Sequence, residues 1–187
     1  KYFPEHLHPE AVAYTDSIRS RRRSIEWLST RAMLFVLLNE SKIIEYHPDG
    51  QPYLSDHSYH ISISHTKEHA AILLHDSSRV GIDIEERSER VKKIASKFIS
   101  EREYIDPSKK VIHQLLHWSA KESLFKLMNE RGVDFKKHLH IHPFTLLKRG
   151  IMHATETKTD SSPTFRIQYE VHDEYVLTWC SGNGVAP

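Results

Sequence analysis

The sequence predicts an α+β fold, two packed halves of helix and strands in one chain of 187 residues. Three observations carry that prediction. Apolar residues recur at three-to-four spacing over residues 24 to 39 and again in VIHQLLHWSAKESLFKLMNE, the pattern of helices with one buried side. HISIS, AAILLH, VGIDIE, TFRIQYEVH and EYVLTWC are short and alternating, or apolar between turn signals, as strands are. The order is helix with strands, then helix with strands, joined near residues 76 to 80 without a low-complexity linker. The expected halves are residues 1–79 and 80–187, with no residue-by-residue repeat between them.

Taken in order, KYFPEHLHPE lacks the apolar stretch of a signal peptide, and Ala32 to Leu38 is too short an apolar run to span a bilayer. A cytoplasmic protein is therefore expected. The first helix should bury Ile25, Leu28, Ala32, Phe35 and Val36, while Arg19, Arg21, Arg22 and Arg23 crowd its start. KIIEY (42 to 46) reads as a strand and HPDGQP (47 to 52) as a turn. In HISIS (60 to 64), Ile61 and Ile63 should face in, with His60, Ser62 and Ser64 outward. AAILLH and VGIDIE follow as strands around Asp76-Ser77-Ser78.

After Glu85 the pattern turns helical, with Val91, Ile94, Ala95 and Phe98 on one face and Arg87, Arg90, Lys92, Lys93 and Lys97 on the others. Ser100 followed by Glu103 has the form of a capping box opening a short helix. Pro107 and Ser108 interrupt, the second long helix runs to near Gly132, and TFRIQYEVH and EYVLTWC pair as a hairpin across Asp173-Glu174.

Composition removes several classes. Lys+Arg 26 against Asp+Glu 25 leaves a formal charge of +1, which argues against an extended nucleic-acid surface. The single Cys180 excludes an internal disulfide and a multi-cysteine zinc site, and reads as a buried strand residue.

Four clusters could carry chemistry. Asp83 and Glu85 share one face of a strand, which alone is the ordinary solvent face of a half-buried strand but also suits a hard cation that wants oxygen ligands. Ser119, Glu122 and Lys126 stack on one helical face beside Trp118; read alone, Glu122 and Lys126 are a surface pair. SISHT (62 to 66) presents hydroxyls and an imidazole, and His65 with His69 has helical ligand spacing but no implied third nitrogen ligand. The arginines at the first helix start oppose its dipole, a cost that a bound phosphate would offset.

Together and in this order, these segments resemble the surfactin-type (group II) 4′-phosphopantetheinyl transferases. GIDIE (81 to 85) is similar to that family's glycine-initiated acidic strand, and WSAKESLFK (118 to 126) to its Trp-Ser-x-Lys-Glu-Ser helix with a further lysine. RRRSIEWLSTR, DGQPYL (49 to 54), SISHT and IASKFISEREY (94 to 104) extend the likeness over roughly residues 19 to 130. Two positions depart from the pattern: Gln51 stands at the usual lysine and Ser62 at the usual asparagine.

The resemblance implies two pseudo-symmetric α+β halves and transfer of 4′-phosphopantetheine from coenzyme A to a serine of an apo acyl or peptidyl carrier protein, releasing adenosine 3′,5′-bisphosphate. It implies Mg²⁺, or Mn²⁺ in its place, on Asp83, Glu85 and Glu122. Glu122 would take the serine proton and Lys126 would serve the departing phosphate, with Lys121, Ser64 and His65 on coenzyme A phosphates. Gln51 would lie at the phosphate turn, and Arg22, Arg23 and Arg31 at the nucleotide end. Lys92, Lys93 and Lys97 form the expected docking face for an acidic carrier, on a monomer with no membrane or nucleic-acid partner. Two rivals use the same residues: a Mg²⁺-dependent phosphodiesterase acting on a nucleotide, and a non-catalytic nucleotide- or nucleic-acid-binding module built on the arginine cluster.

Overall fold

The computed structural model describes residues 20–128, 130–182 and 184, so Arg19 and the KYFPEHLHPE stretch lie outside it. Helix α1 (Arg21–Leu38) begins at Ser20, whose hydroxyl accepts the Arg23 amide at 3.5 Å. It ends at Asn39, held in the left-handed region (φ 55) with its amide on the Phe35 carbonyl at 2.7 Å. Two hairpins follow. Strand β1 (Ile44–Tyr46) pairs with β2 (Pro52–Leu54), and β3 (His60–His65) with β4 (Ala70–His75), both antiparallel. Leu34, Ile44, Leu54 and Ile61 make a small core beneath α1.

The expected apolar stripe of α1 is not what that helix buries. Thr30 and Leu34 face inward, whereas Ile25 is 56% and Val36 80% exposed. A helix that packs on a two-stranded hairpin meets it along a narrow ridge, so Leu34 alone of its apolar positions is fully buried, most are half-buried, and Ile25, Val36 and Leu37 stay at the surface.

Strand β5 (Val80–Glu86) is the edge of a five-stranded antiparallel sheet ordered β5-β9-β8-β7-β6. Between β5 and the rest come a 3₁₀ turn (Glu89–Lys93), the short α2 (Ala95–Phe98), the long α3 (Lys110–Met128) and α4 (Phe135–His138). Then follow β6 (Leu139–Ile141), β7 (Arg149–Glu156), β8 (Thr164–Val171) and β9 (Tyr175–Ser181). The sheet buries Leu139, Ile141, Met152, Ala154, Ile167, Tyr169 and Val176 in one core with Leu116, Ala120 and Leu124 of α3. Cys180 lies in β9, 2% exposed, and burial pushes its thiol up to about 12, which makes it inert. Among the described residues no helix is long and apolar enough to cross a membrane.

Helix α3 lies unusually close to β5, and small residues permit it. A Cβ added to Gly81 would stand 1.9 Å from the Ser123 carbonyl oxygen. Ser119 and Ser123 share that helix face, their hydroxyls 2.9 and 2.7 Å from Thr178 Oγ1 of β9. Ser119 therefore belongs to the helix–sheet interface and not to the acidic face expected for it.

Other expectations also change. The helix foreseen after Glu85 is two short turns, although Val91, Ala95 and Phe98 are buried and Lys92, Lys93 and Lys97 exposed as the pattern required. The capping box is half present: the Ser100 amide donates to Glu103 Oε2 at 2.8 Å, but the residues that follow form a turn rather than a helix. Glu103 is instead buried against Lys121, at 2.8 Å. Ser62 and Ser64 are 3% and 7% exposed, not outward-facing, because their hydroxyls reach β5. Each accepts a β5 amide, Ile82 at 3.1 Å and Ile84 at 3.3 Å. Two side chains thus do along the β3–β5 seam what main-chain carbonyls do inside a sheet.

The α3 core contains a histidine that gives stability a pH dependence. His117 is 1% exposed; its Nδ1 lies 2.8 Å from the His113 carbonyl, to which it donates, and its Nε2 has no partner. Burial pushes this imidazole down to about 4 from an ordinary 6.5. The neutral form is the folded form, so its contribution is complete above pH 6.5 and is lost as pH falls through about 4. Urea unfolding should lose up to about 3 kcal/mol across that window. His117→Leu should flatten the profile, and an unchanged slope would assign the acid sensitivity elsewhere.

Candidate active site

Three residues one turn apart on α3, Trp118, Glu122 and Lys126, face β5 and its acidic pair. Trp118 Nε1 donates to Glu85 Oε1 at 2.7 Å. Two turns further on, Lys126 Nζ donates to the Ile82 carbonyl and to Asp83 Oδ1, both at 2.9 Å. Glu122 stands between these two contacts on the helix. From the opposite side, Ser64 Oγ donates to Asp83 Oδ1 at 2.9 Å while accepting the Ile84 amide. Asp83 is 4% exposed, and its second oxygen, Oδ2, is buried without a hydrogen-bond partner.

The carboxylates feel one another. Burial, then the negative charge of Asp83, pushes Glu122 up to about 7, and the same two causes raise Glu85 above the usual carboxylate range. Lys126 partly offsets both. Among the described residues no group of three or more His, Cys, Asp or Glu side chains stands close enough to hold a metal ion by itself. The Lys126 ammonium is the cation that neutralises Asp83 in this arrangement.

Two cavities open along the same helix. One, of about 380 Å³, has Arg22, His65, Glu85 and Arg90 around an apolar floor that includes Leu115 and Trp118. The other, of about 260 Å³, is lined by Gln51, Ser62, Phe125, Lys126 and Arg131. His65 Nε2 lies 2.8 Å from Thr30 Oγ1 of α1, and burial lowers its pKa, keeping a neutral ring beside Arg22. Arg22 itself pairs with Glu26 at 2.7 Å. Gln51 Nε2 donates to the Lys126 carbonyl at 3.2 Å, which brings the β1–β2 turn to the end of α3.

The structure thus gathers Asp83, Glu85, Glu122, Lys126, Ser64, His65, Gln51 and Arg22 around one seam. It does not place Lys121 there. That side chain is fully buried, and its ammonium donates to Glu103 Oε2 at 2.8 Å, the Phe98 carbonyl at 2.6 Å and the Phe135 carbonyl at 3.1 Å. All three donors are spent, so Lys121 has none for a coenzyme A phosphate. Its position was legible from helical spacing: His117, Lys121, Leu124 and Met128 fall on one buried stripe.

Arg31 lines neither of these two cavities. Its guanidinium lies 3.5 Å over the Trp27 ring and donates to the Trp27 and Ile44 carbonyls, both at 3.3 Å. Arg23 is exposed on the first turn of α1. His65 and His69 flank the β3–β4 turn rather than sharing a helix face, and His69 packs on Tyr175 with ring centroids 4.5 Å apart. The contacts from Thr30 to His65 and from Trp118 to Glu85 had no signal in the local pattern, because they join elements distant in sequence.

The buried Lys121–Glu103 pair yields a prediction about stability. Removing one partner strands the other charge in the core, so Lys121→Met should cost about 3 kcal/mol, whereas Lys121→Met with Glu103→Leu should recover most of it. Chemical denaturation of the three proteins checks this. A double variant no better than the single one would contradict it.

An acidic strand edge joined to a helix-borne glutamate and lysine defines a class. Residues 79–180, from the residue before β5 to Cys180 in β9, match the 4′-phosphopantetheinyl transferase superfamily, and the chain belongs to it. It is a 4′-phosphopantetheinyl transferase. The chain is 28% identical over 178 residues to the 4′-phosphopantetheinyl transferase gsp of Aneurinibacillus migulanus, an alignment that covers 91% of this chain and 72% of that protein.

Proposed function

We propose that the protein moves the 4′-phosphopantetheine arm of coenzyme A onto a serine hydroxyl of an apo acyl or peptidyl carrier protein, releasing adenosine 3′,5′-bisphosphate. The observation that carries this reading is the meeting of Asp83, Glu122 and Lys126 at the seam, with one buried Asp83 oxygen left unpartnered.

The donor set suits Mg²⁺. It consists of carboxylate oxygens, one of them buried and bare, among crowded acids that a cation would relieve. Asp83, Glu85 and Glu122 do not make a three-ligand metal site by themselves; they would share the ion with phosphate oxygens of the bound substrate, as is usual for Mg²⁺. Bound there, the ion supplies Lewis-acid neutralisation of a pyrophosphate.

The chain's own residues do the rest. Glu122, whose place on α3 faces the acidic pair of β5, takes the proton of the carrier serine. The serine oxygen forms its bond to the phosphorus that carries the pantetheine arm. The bond from that phosphorus to the adenosine bisphosphate oxygen breaks, and Lys126 compensates the charge that develops there. Ser64 holds Asp83 in place, His65 and Gln51 border the substrate's phosphates, and Arg22 with Arg23 supplies positive charge at the nucleotide end.

Lys92, Lys93 and Lys97 lie exposed on the segment after β5 and form the docking face for an acidic carrier. We read residues 1–79 and 80–187 as two halves acting in one cytoplasmic monomer. The test is incubation with coenzyme A, Mg²⁺ and an apo carrier protein. Transfer raises the carrier's intact mass by one prosthetic arm; adenosine bisphosphate released without that gain would mean hydrolysis instead.

A further inference from the structure

The last turn of α3 is completed by residues from the preceding part of the chain. A helix leaves its final carbonyls without partners of its own. Here Gln51 Nε2 reaches the Lys126 carbonyl and Arg79 Nη1 the Met128 carbonyl, each at 3.2 Å. A guanidinium at this end also faces the negative pole of the helix dipole. Arg79 immediately precedes β5, whose Gly81 lies under Ser123 and whose Ile82 carbonyl and Asp83 carboxylate receive the Lys126 ammonium. One short stretch, residues 79 to 83, therefore grips the end of α3 through a cap, a close backbone approach and an ion pair.

We propose that Arg79, assisted by Gln51, is a positioning residue for Lys126, holding the end of α3 at the height where that ammonium meets Asp83. The inference rests on the reading of Lys126 as the group that serves the departing phosphate. A cap that merely stabilised the helix would raise its melting temperature and leave the chemistry of folded molecules untouched. A cap that positions Lys126 changes turnover, and does so only when Lys126 is present.

The test compares full-length wild type, Arg79→Met, Arg79→Lys, Lys126→Met and the Arg79→Met/Lys126→Met double variant, using coenzyme A, Mg²⁺ and an apo carrier protein. Misplacing a reacting group by an ångström costs up to about a hundredfold, and a flexible lysine recovers part of that, so Arg79→Met should lower kcat about tenfold with little change in KM for coenzyme A. Arg79→Lys, which still reaches a carbonyl, should restore most of the loss. In the Lys126→Met background the Arg79 substitution should have no further effect.

An unchanged kcat in folded Arg79→Met, or a tenfold loss that persists in full without Lys126, overturns the inference. If Arg79→Met does not fold, Gln51→Ala, which removes only the uncharged half of the cap, must show the same dependence on Lys126. The outcomes separate the two levels of the account. Wild-type transfer by Lys126→Met sinks the reading of Lys126 and this inference with it, whereas an impaired Lys126→Met beside a fully active Arg79→Met sinks this inference alone.

Discussion

Asp83→Asn should lower phosphopantetheinyl transfer about a thousandfold while the protein stays folded. One Asp83 oxygen takes hydrogen bonds from both Ser64 and Lys126, and the other is buried with no partner. Asparagine keeps the shape and can still accept from Ser64, but it removes the charge that holds Lys126 and that would hold a divalent cation. The Lys126 side chain is 27% exposed, so its ammonium can turn to water instead of being stranded, and the stability cost should stay near 1 kcal/mol. Removing the negative charge also relieves Glu122, whose carboxyl should move down from about 7. Steady-state transfer assays beside a thermal melt read both quantities. A folded Asp83→Asn protein with more than a tenth of wild-type activity contradicts the assignment.

Gly81→Ala should be among the most damaging single substitutions in the chain although it adds one methyl group. The new Cβ would lie 1.9 Å from the Ser123 carbonyl oxygen, 2.8 Å from its carbon and 3.0 Å from the Leu127 nitrogen. All three are main-chain atoms in a helix, so no side chain can swing aside. Either α3 lifts from β5, breaking the Ser119 and Ser123 contacts to Thr178, or β5 moves away from β9. A destabilisation of about 4 kcal/mol is expected, at the upper end for overpacking. Because α3 carries Glu122 and Lys126, whatever folds should also be poorly active. Circular dichroism melts and transfer rates check this, and a Gly81→Ala protein that melts like the wild type would show that the helix does not lie so close.

Most of the framework was legible in the sequence. Strand β5 and helix α3 carry clean period-two and period-3.6 patterns, and the β8–β9 hairpin alternates as expected. The misses have physical causes. In β7 the inward positions are Gly150, Met152, Ala154 and Glu156, while Ile151 is exposed, so its apolar alternation is blurred. Strand β2 begins at Pro52, which reads as a turn residue. Lys121 was expected on a coenzyme A phosphate because the resemblance implies it, yet its helical position already placed it between His117 and Leu124 on the core side. The acidic pair and Glu122 were visible as residues, but their mutual crowding and the bare Asp83 oxygen are products of tertiary packing.

The intact mass of an apo carrier protein after incubation with coenzyme A and Mg²⁺, measured in parallel for wild type and Glu122→Gln, tests the role of Glu122 most directly. Wild type should convert the carrier by the mass of one phosphopantetheine arm, and Glu122→Gln should leave it unmodified over the same time. Equal conversion by both proteins would remove Glu122 from the chemistry and contradict the site described here.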